Sequence, residues 1–307
     1  MTYTRRELGK LMLSAAALPR TALPVPQRPR PDSKFAGVQI GMNVPYNFGS
    51  RTLGGDETLA KTLQLGISAV ELRSQPVELL MGAPLEVLEP GRGKEAQAAA
   101  AAQLRAWRLK TRLSNATAFR RKWDEAGVRI EIVKYDGIYD FTDAEMDYAF
   151  KLAKALGARA ISCEIDVEKS KRVGQFADRH KLMVGYHGHT KVSPPMWETA
   201  FGYAKYNGAN VDIGHFVAGN FESPVPFITA HHDRITHVHI KDRKVNDGDN
   251  VPFGEGDTPI KEVLQLIRDN TWPIQATIEF EYNVPPGSDK MAEMAKCVQY
   301  CKDALLS

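Results

Sequence analysis

From Lys34 to the C-terminus, short runs of β-branched and other apolar residues alternate with longer amphipathic stretches. The runs cover residues 37–42, 69–73, 129–134, 160–165, 182–187, 210–213, 236–240 and 275–282, with Gly, Asp, Asn or Pro at their borders. Short apolar runs bounded in this way predict buried parallel strands. Between them, apolar residues recur at helical spacing over 57–65, 168–180, 195–205, 224–233, 260–268 and 288–306. Thr142 and Glu145 form a capping-box pattern ahead of a helix over 146–156, which Gly157 ends. Residues 94–126 include an Ala-rich stretch and are long enough for two helices. That second crossover predicts a wall or lid over one end of the fold.

Strict alternation of strand and helix suits a single (β/α)8 TIM barrel over 35–307, preceded by a disordered leader over 1–34. A doubly wound open sheet is the alternative. No Gly-x-Gly-x-x-Gly turn follows any of the strands to support it.

Composition narrows the class. The 307 residues are 43% hydrophobic and 25% charged, an ordinary globular mixture that excludes wholesale disorder. The formal net charge of +3 is uneven. Residues 1–34 hold seven basic and two acidic side chains, which leaves 33 basic and 35 acidic for the rest, a net −2. A body without positive excess predicts no nucleic-acid partner. Three cysteines, Cys163, Cys297 and Cys301, are too few for a disulfide framework and predict buried thiols; the 291–301 stripe predicts a core-facing helix surface.

In the leader, Arg5-Arg6 precedes the apolar run 11–18 and then Pro19, Pro24, Pro26, Pro29 and Pro31. This pattern resembles a twin-arginine export signal and predicts a periplasmic or exported protein; a basic, Pro-rich tail on a cytoplasmic protein is the alternative. The apolar run is too short to span a bilayer, so no stable membrane insertion is expected.

Catalytic side chains of a barrel sit at the carboxyl ends of its strands. Those ends carry Glu164, His187, Asp212, the pair His237 and His239, and the pair Glu279 and Glu281. Alternate residues of a strand share a face, so each pair points the same way. Several carboxylates and an imidazole converging on one lumen repel one another unless a cation lies among them. Oxygen-rich ligands with one nitrogen suit Mn²⁺, Mg²⁺ or Co²⁺, with Zn²⁺ as a further candidate. Trp197 is a candidate ligand-stacking platform or a core residue, and Phe253 a candidate lid residue. Glu71 and Arg73 end the second strand, as substrate contacts or as an ion pair on the rim.

The segments 184–189 (Val-Gly-Tyr-His-Gly-His), 212–215 (Asp-Ile-Gly-His), 237–242 (His-Val-His-Ile-Lys-Asp) and 251–256 (Val-Pro-Phe-Gly-Glu-Gly) occur in that order. In this respect the chain resembles the xylose isomerase-like barrel superfamily, which shares the AP endonuclease family 2 fold, and within it the sugar phosphate isomerase/epimerase branch. The resemblance runs from about Phe35 to the C-terminus. It implies one divalent metal ion held by Glu164, Asp212, His239 and Glu281, with Glu279 as the alternative to Glu281. It implies Glu164 and Glu281 as the catalytic acid–base pair, and His187, His215, Lys241 and Glu279 around a small-molecule sugar. A homo-oligomer is compatible with such a barrel. The implied chemistry is isomerisation or epimerisation of a ketose or keto-sugar through a metal-stabilised enediolate. The same enolisation with a leaving group one carbon further on makes a lyase, dehydratase or hydratase of 3-keto-glycosides or keto-inositols. A non-catalytic sugar-binding barrel is expected to have lost a carboxylate ligand. The endonuclease IV branch needs further His ligands on early strands, whereas this chain has no His before His180, and 247–249 reads Asp-Gly-Asp.

Overall fold

Apolar and polar residues alternate along each strand because each strand has one face toward surrounding helices and one toward a closed lumen. In the computed structural model, eight parallel strands form this barrel: β1 (Val38–Val44), β2 (Ala69–Arg73), β3 (Arg129–Lys134), β4 (Ala160–Glu164), β5 (Met183–His187), β6 (Asn207–Asp212), β7 (Ile235–Ile240) and β8 (Gln275–Ile278). Each strand pairs with the next, and β8 pairs back onto β1, with Thr277 opposite Gly41. The structure describes residues 30–307 apart from Arg92 and Phe221. Residues 31–307 form one compact unit. The leader motif, with its paired arginines, lies outside the described residues.

Val38, Ile40, Met42 and Val44 of β1 are buried against the helical layer, and the intervening Gly41 and Asn43 belong to the lumen. Lumen glycines make room for neighbouring side chains. A Cβ on Gly185 of β5 would collide with Thr236 Oγ1, and one on Gly41 with the Gln275 amide.

The helices include α1 (Gly55–Gln64), α2 (Gln75–Leu80), α3 (Leu85–Leu88), α4 (Lys94–Arg108), α5 (Ser114–Glu125) and α6 (Asp143–Ala155). They continue with α7 (Val167–His180), α8 (Pro194–Tyr203), α9 (Ile213–Asn220), α10 (Val225–His231), α11 (Ile260–Asp269) and α12 (Lys290–Leu306). The expected capping box is present on α6: the Thr142 hydroxyl accepts the Glu145 N–H and the Glu145 carboxylate accepts the Thr142 N–H. Met294, Cys297 and Cys301 of α12 are buried, and all three cysteines are free.

Three boundaries differ from the sequence expectation. β8 stops at Ile278, because the chain beyond it leaves the ladder and binds Asn47, whose amide donates to Ile278 O and whose carbonyl accepts the Phe280 N–H. α9 starts immediately after Asp212, whose Oδ1 accepts the His215 N–H at 2.8 Å. The long second crossover carries α2 and α3 ahead of the two predicted helices, and Arg108 of α4 is buried against Glu78 of α2. Among the described residues no helix is long and apolar enough to cross a membrane.

Candidate metal centre and active site

The carboxyl ends of β2 through β8 project a continuous set of charged side chains into the lumen. At its centre, His187, Asp212, His239 and Glu279 each offer a ligand atom, all within 4.8 Å of one another. His239 Nδ1 lies 3.3 Å from Glu279 Oε2 and 3.8 Å from Asp212 Oδ2, and is buried with no hydrogen-bond partner among the described residues. The opposite ring nitrogen, Nε2, is 2.5 Å from Glu71 Oε2. A carboxylate behind an imidazole whose other nitrogen faces two further carboxylates is the arrangement that orients a metal-binding histidine. A buried nitrogen without a partner, beside two carboxylate oxygens, fits a divalent ion of the Mn²⁺, Mg²⁺ or Co²⁺ type.

Four of the sequence candidates thus converge, and the set differs from the expected one. Asp212 and His239 are together as expected, whereas Glu279 stands beside them in place of Glu281. Glu279 also accepts the Asn43 amide at 2.8 Å. Because β8 ends at Ile278, Glu279 is the first residue past the strand, and Glu281 lies farther out at the mouth. There it accepts the Tyr46 hydroxyl at 2.8 Å and the Lys241 ammonium at 2.6 Å. Glu164 also stands at the mouth, its side chain 46% exposed, and belongs to a separate group with His187 and His189. His187 links the two groups, with Nδ1 2.8 Å from Glu164 Oε2 and Nε2 3.4 Å from Asp212 Oδ2.

Lys241 is buried and its ammonium reaches Asp212 Oδ2 at 3.1 Å, Glu279 Oε2 at 2.7 Å and Glu281 Oε2 at 2.6 Å. It is 3.2 Å from His215 Nε2, whose ring also receives an Arg243 N–H on Nδ1 at 2.7 Å. His215 and Lys241 therefore flank the cluster where sequence expected them. Trp197 does not. It is buried, donates its indole N–H to Tyr186 O at 2.7 Å and packs against Phe216 and Phe227, so it cannot stack on a ligand. Phe253 sits edge-on against Tyr300 of α12.

Electrostatics follow from burial and the crowd of charges. Burial alone would raise the Asp212 and Glu279 carboxyls, but Lys241 acting together with His215 and His187 around Asp212, and with His239 and His187 around Glu279, holds both below the usual carboxylate range. Burial alone would lower the His239 imidazole, yet Glu71 and Glu279 lift it to about 10. Burial pushes His237 and His215 down to about 4, so both are neutral at pH 7. For Glu164, burial is outweighed by His187, His189 and Lys134, which hold the group below the usual carboxylate range.

Lys134 and His189 lie outside the set singled out as substrate or metal contacts, and Glu71, expected as a substrate contact or a rim ion pair, is found behind the histidines instead. Lys134 of β3 is buried with its ammonium 2.8 Å from Glu164 Oε1. Glu71 of β2 serves both His237 and His239, and His189 Nε2 lies 2.8 Å from Glu164 Oε2. The signal for Lys134 and Glu71 was their position on alternate, inward positions of two apolar strands.

A model of the family described as xylose isomerase-like TIM barrel matches residues 100–301. A search of curated protein sequences finds no match. Among solved structures, a xylose isomerase domain protein from Planctomyces limnophilus superposes with TM-score 0.61 at 16% identity, covering 88% of this chain and 97% of that one. The probable 3-DHS dehydratase AsbF of Bacillus anthracis, involved in petrobactin synthesis, gives 0.60 at 13% identity, with 86% and 99% covered. A D-psicose 3-epimerase from Clostridium cellulolyticum gives 0.58 at 11%, with 88% and 100% covered. At these identities the likeness is one of fold. The family match spans well over half of the sequence, and on that ground the chain belongs to the xylose isomerase-like TIM barrels.

Proposed function

We propose that the protein is a divalent-metal-dependent isomerase or epimerase of a ketose or related keto-sugar, acting by proton abstraction beside the carbonyl. The observation that carries this reading is the convergence of Asp212 Oδ2 and Glu279 Oε2 on the unpartnered His239 Nδ1. Those three residues would hold the ion, with His187 beside them. A divalent ion there supplies Lewis-acid stabilisation of an enediolate.

The division of labour among carboxylates follows from exposure. Asp212 and Glu279 are buried and serve as holders. Glu164 and Glu281, 46% and 22% exposed, stand at the mouth where a sugar enters. They come from β4 and from beyond β8, strands that lie opposite one another around eight, so they flank the substrate from two sides. One carboxylate takes the carbon-bound proton; the same group giving it to the neighbouring carbon isomerises the sugar, and the other group, entering as the carboxylic acid, giving its own proton to the opposite face of the same carbon epimerises it. Lys134 keeps Glu164 ionised as the acceptor, and Lys241 offers an ammonium to the developing oxyanion.

A lyase or dehydratase is the second reading, and His189 favours it. Its ring stands at the mouth, 60% exposed, and its hydrogen bond to Glu164 raises its pKa. An imidazole whose protonated form is favoured by the neighbouring base is placed to give a proton to a leaving group one carbon further on.

Elemental analysis of protein purified without chelator tests the centre: one divalent ion per chain is expected, lost in Asp212→Asn and Glu279→Gln. A metal-replete wild type without metal sinks the proposal. In D₂O, solvent deuterium in an isomeric product identifies the epimerase or isomerase, and an unsaturated keto-sugar identifies the lyase.

A further inference from the structure

A groove of about 550 Å³ opens beside the mouth, lined by Tyr46, Arg51, Asn250, Phe280, Glu281 and Lys290 among others. It shares Glu281 and Tyr46 with the candidate site, so a ligand reaching past Glu281 enters it. Its volume falls within the range of small-molecule sites.

Its charges do not cancel. Glu281 is the one carboxylate on the groove wall, and Lys241 already neutralises it at 2.6 Å. Arg51 has Asp136 as its nearest carboxylate, at 3.7 Å, but Asp136 is held at 2.5 Å by the buried Arg73. Lys290 makes no ion pair among the described residues; its ammonium lies 5.6 Å from the centre of the Phe280 ring. Its neighbour Asp289 is engaged in capping α12, where it accepts the Ala292 N–H, and is not part of the groove wall. Asn250 lines the groove as well, and the atom of its amide without a partner among the described residues is the oxygen, an acceptor suited to a sugar hydroxyl rather than to an anion. Lys290, without an ion pair among the described residues, and Arg51, whose carboxylate partner Asp136 is shared with Arg73, therefore border a cleft contiguous with the site.

We infer that the substrate carries an anionic oxygen group, a carboxylate or a phosphate, remote from its reacting carbons, and that Arg51 and Lys290 receive this group. The inference rests on the reading of the neighbouring site as sugar-binding and names the substrate class. Charge-assisted hydrogen bonds from Arg and Lys are the usual means of holding such groups.

The test is calorimetric titration of protein purified without chelator with D-fructose, D-fructose 6-phosphate and the ketohexuronate D-tagaturonate at low ionic strength. One of the charged sugars is expected to bind at least about tenfold more tightly than D-fructose. That preference is expected to fall toward unity in the Arg51→Met/Lys290→Met double variant and to weaken with added salt. Both substitutions are at exposed positions, and an unchanged melting temperature verifies the fold. If the phosphate wins, the substrate is a phosphorylated sugar; if the carboxylate wins, it is a sugar acid. Equal affinity for charged and neutral sugars, no binding of any of the three, or a double variant that keeps the preference overturns the inference. Enolisation is read separately, as solvent deuterium entering the bound sugar. Preferred binding without exchange leaves the groove standing and defeats the proposed function; exchange without charge preference does the reverse.

Discussion

Glu71 shows how much a single lumen residue decides. It is buried on β2, with Oε2 2.5 Å from His239 Nε2 and 3.4 Å from His237 Nε2. It fixes the ring whose other nitrogen faces Asp212 and Glu279. Glu71→Gln keeps the shape and removes the charge, and is expected to weaken divalent-ion binding about 10–100-fold by titration calorimetry. Lys241 predicts the opposite sign. Its ammonium binds the same Asp212 and Glu279 oxygens that a metal would use, so it competes with the ion. Lys241→Met is expected to raise Mn²⁺ affinity; a weaker affinity shows that Lys241 supports the ion rather than opposing it. These residues were unevenly legible. Asp212 and His239 follow from strand ends, because a strand end in a barrel has one destination. Choosing between Glu279 and Glu281 needs the point where β8 leaves the ladder, and Asn47, 231 positions from Ile278, sets it. Lys134 escaped because a basic residue ending a strand reads equally well as solvated; only closure of the barrel turns it toward Glu164.

At the scale of elements, the strands and most helices were legible because their patterns are local: alternation, a capping box, a Gly stop. The second crossover was legible in part: the two helices expected over 94–126 are present as α4 and α5, whereas α2 and α3, packed to them through a long-range ion pair, were not foreseen. Arg108 of α4 and Glu78 of α2 are 6% and 0% exposed, with Arg108 Nε 2.7 Å from Glu78 Oε1 and NH1 3.6 Å from Glu145 Oε1 of α6. The guanidinium also lies 4.4 Å from the centre of the Phe141 ring. It ties three helices together. Removing one partner of a buried pair leaves the other charge uncompensated, so Arg108→Ala is expected to cost about 3–5 kcal/mol in denaturant unfolding. Limited proteolysis is expected to cut first within residues 75–108. A loss below about 1 kcal/mol shows that the pair is solvated and the crossover is held by its apolar contacts instead.

Across the whole molecule, alternation of β and α elements identifies a barrel, and periodicity separates inward from outward positions on each strand. It does not say what fills the middle, since the neighbours of Glu71, Lys134 and Lys241 come from strands far apart in sequence. Closure places three buried carboxylates, Glu71, Asp212 and Glu279, in one lumen with Arg73, Lys134 and Lys241. A charged interior of this kind contributes little to stability by itself, because desolvation offsets most of the attraction. A ligand that binds only the folded state adds to it directly. At a free Mn²⁺ concentration 100 times Kd the gain is about 2.7 kcal/mol. For a domain of this size that corresponds to a melting temperature about 5 °C higher than in chelator. The shift is expected to vanish in Asp212→Asn, which removes a ligand charge at the base of α9 while leaving an oxygen to accept the His215 N–H. If wild type melts at the same temperature with Mn²⁺ and with chelator, the lumen's own Arg73, Lys134 and Lys241 balance its carboxylates without a metal ion, and the three carboxylates belong to a structural ion-pair network.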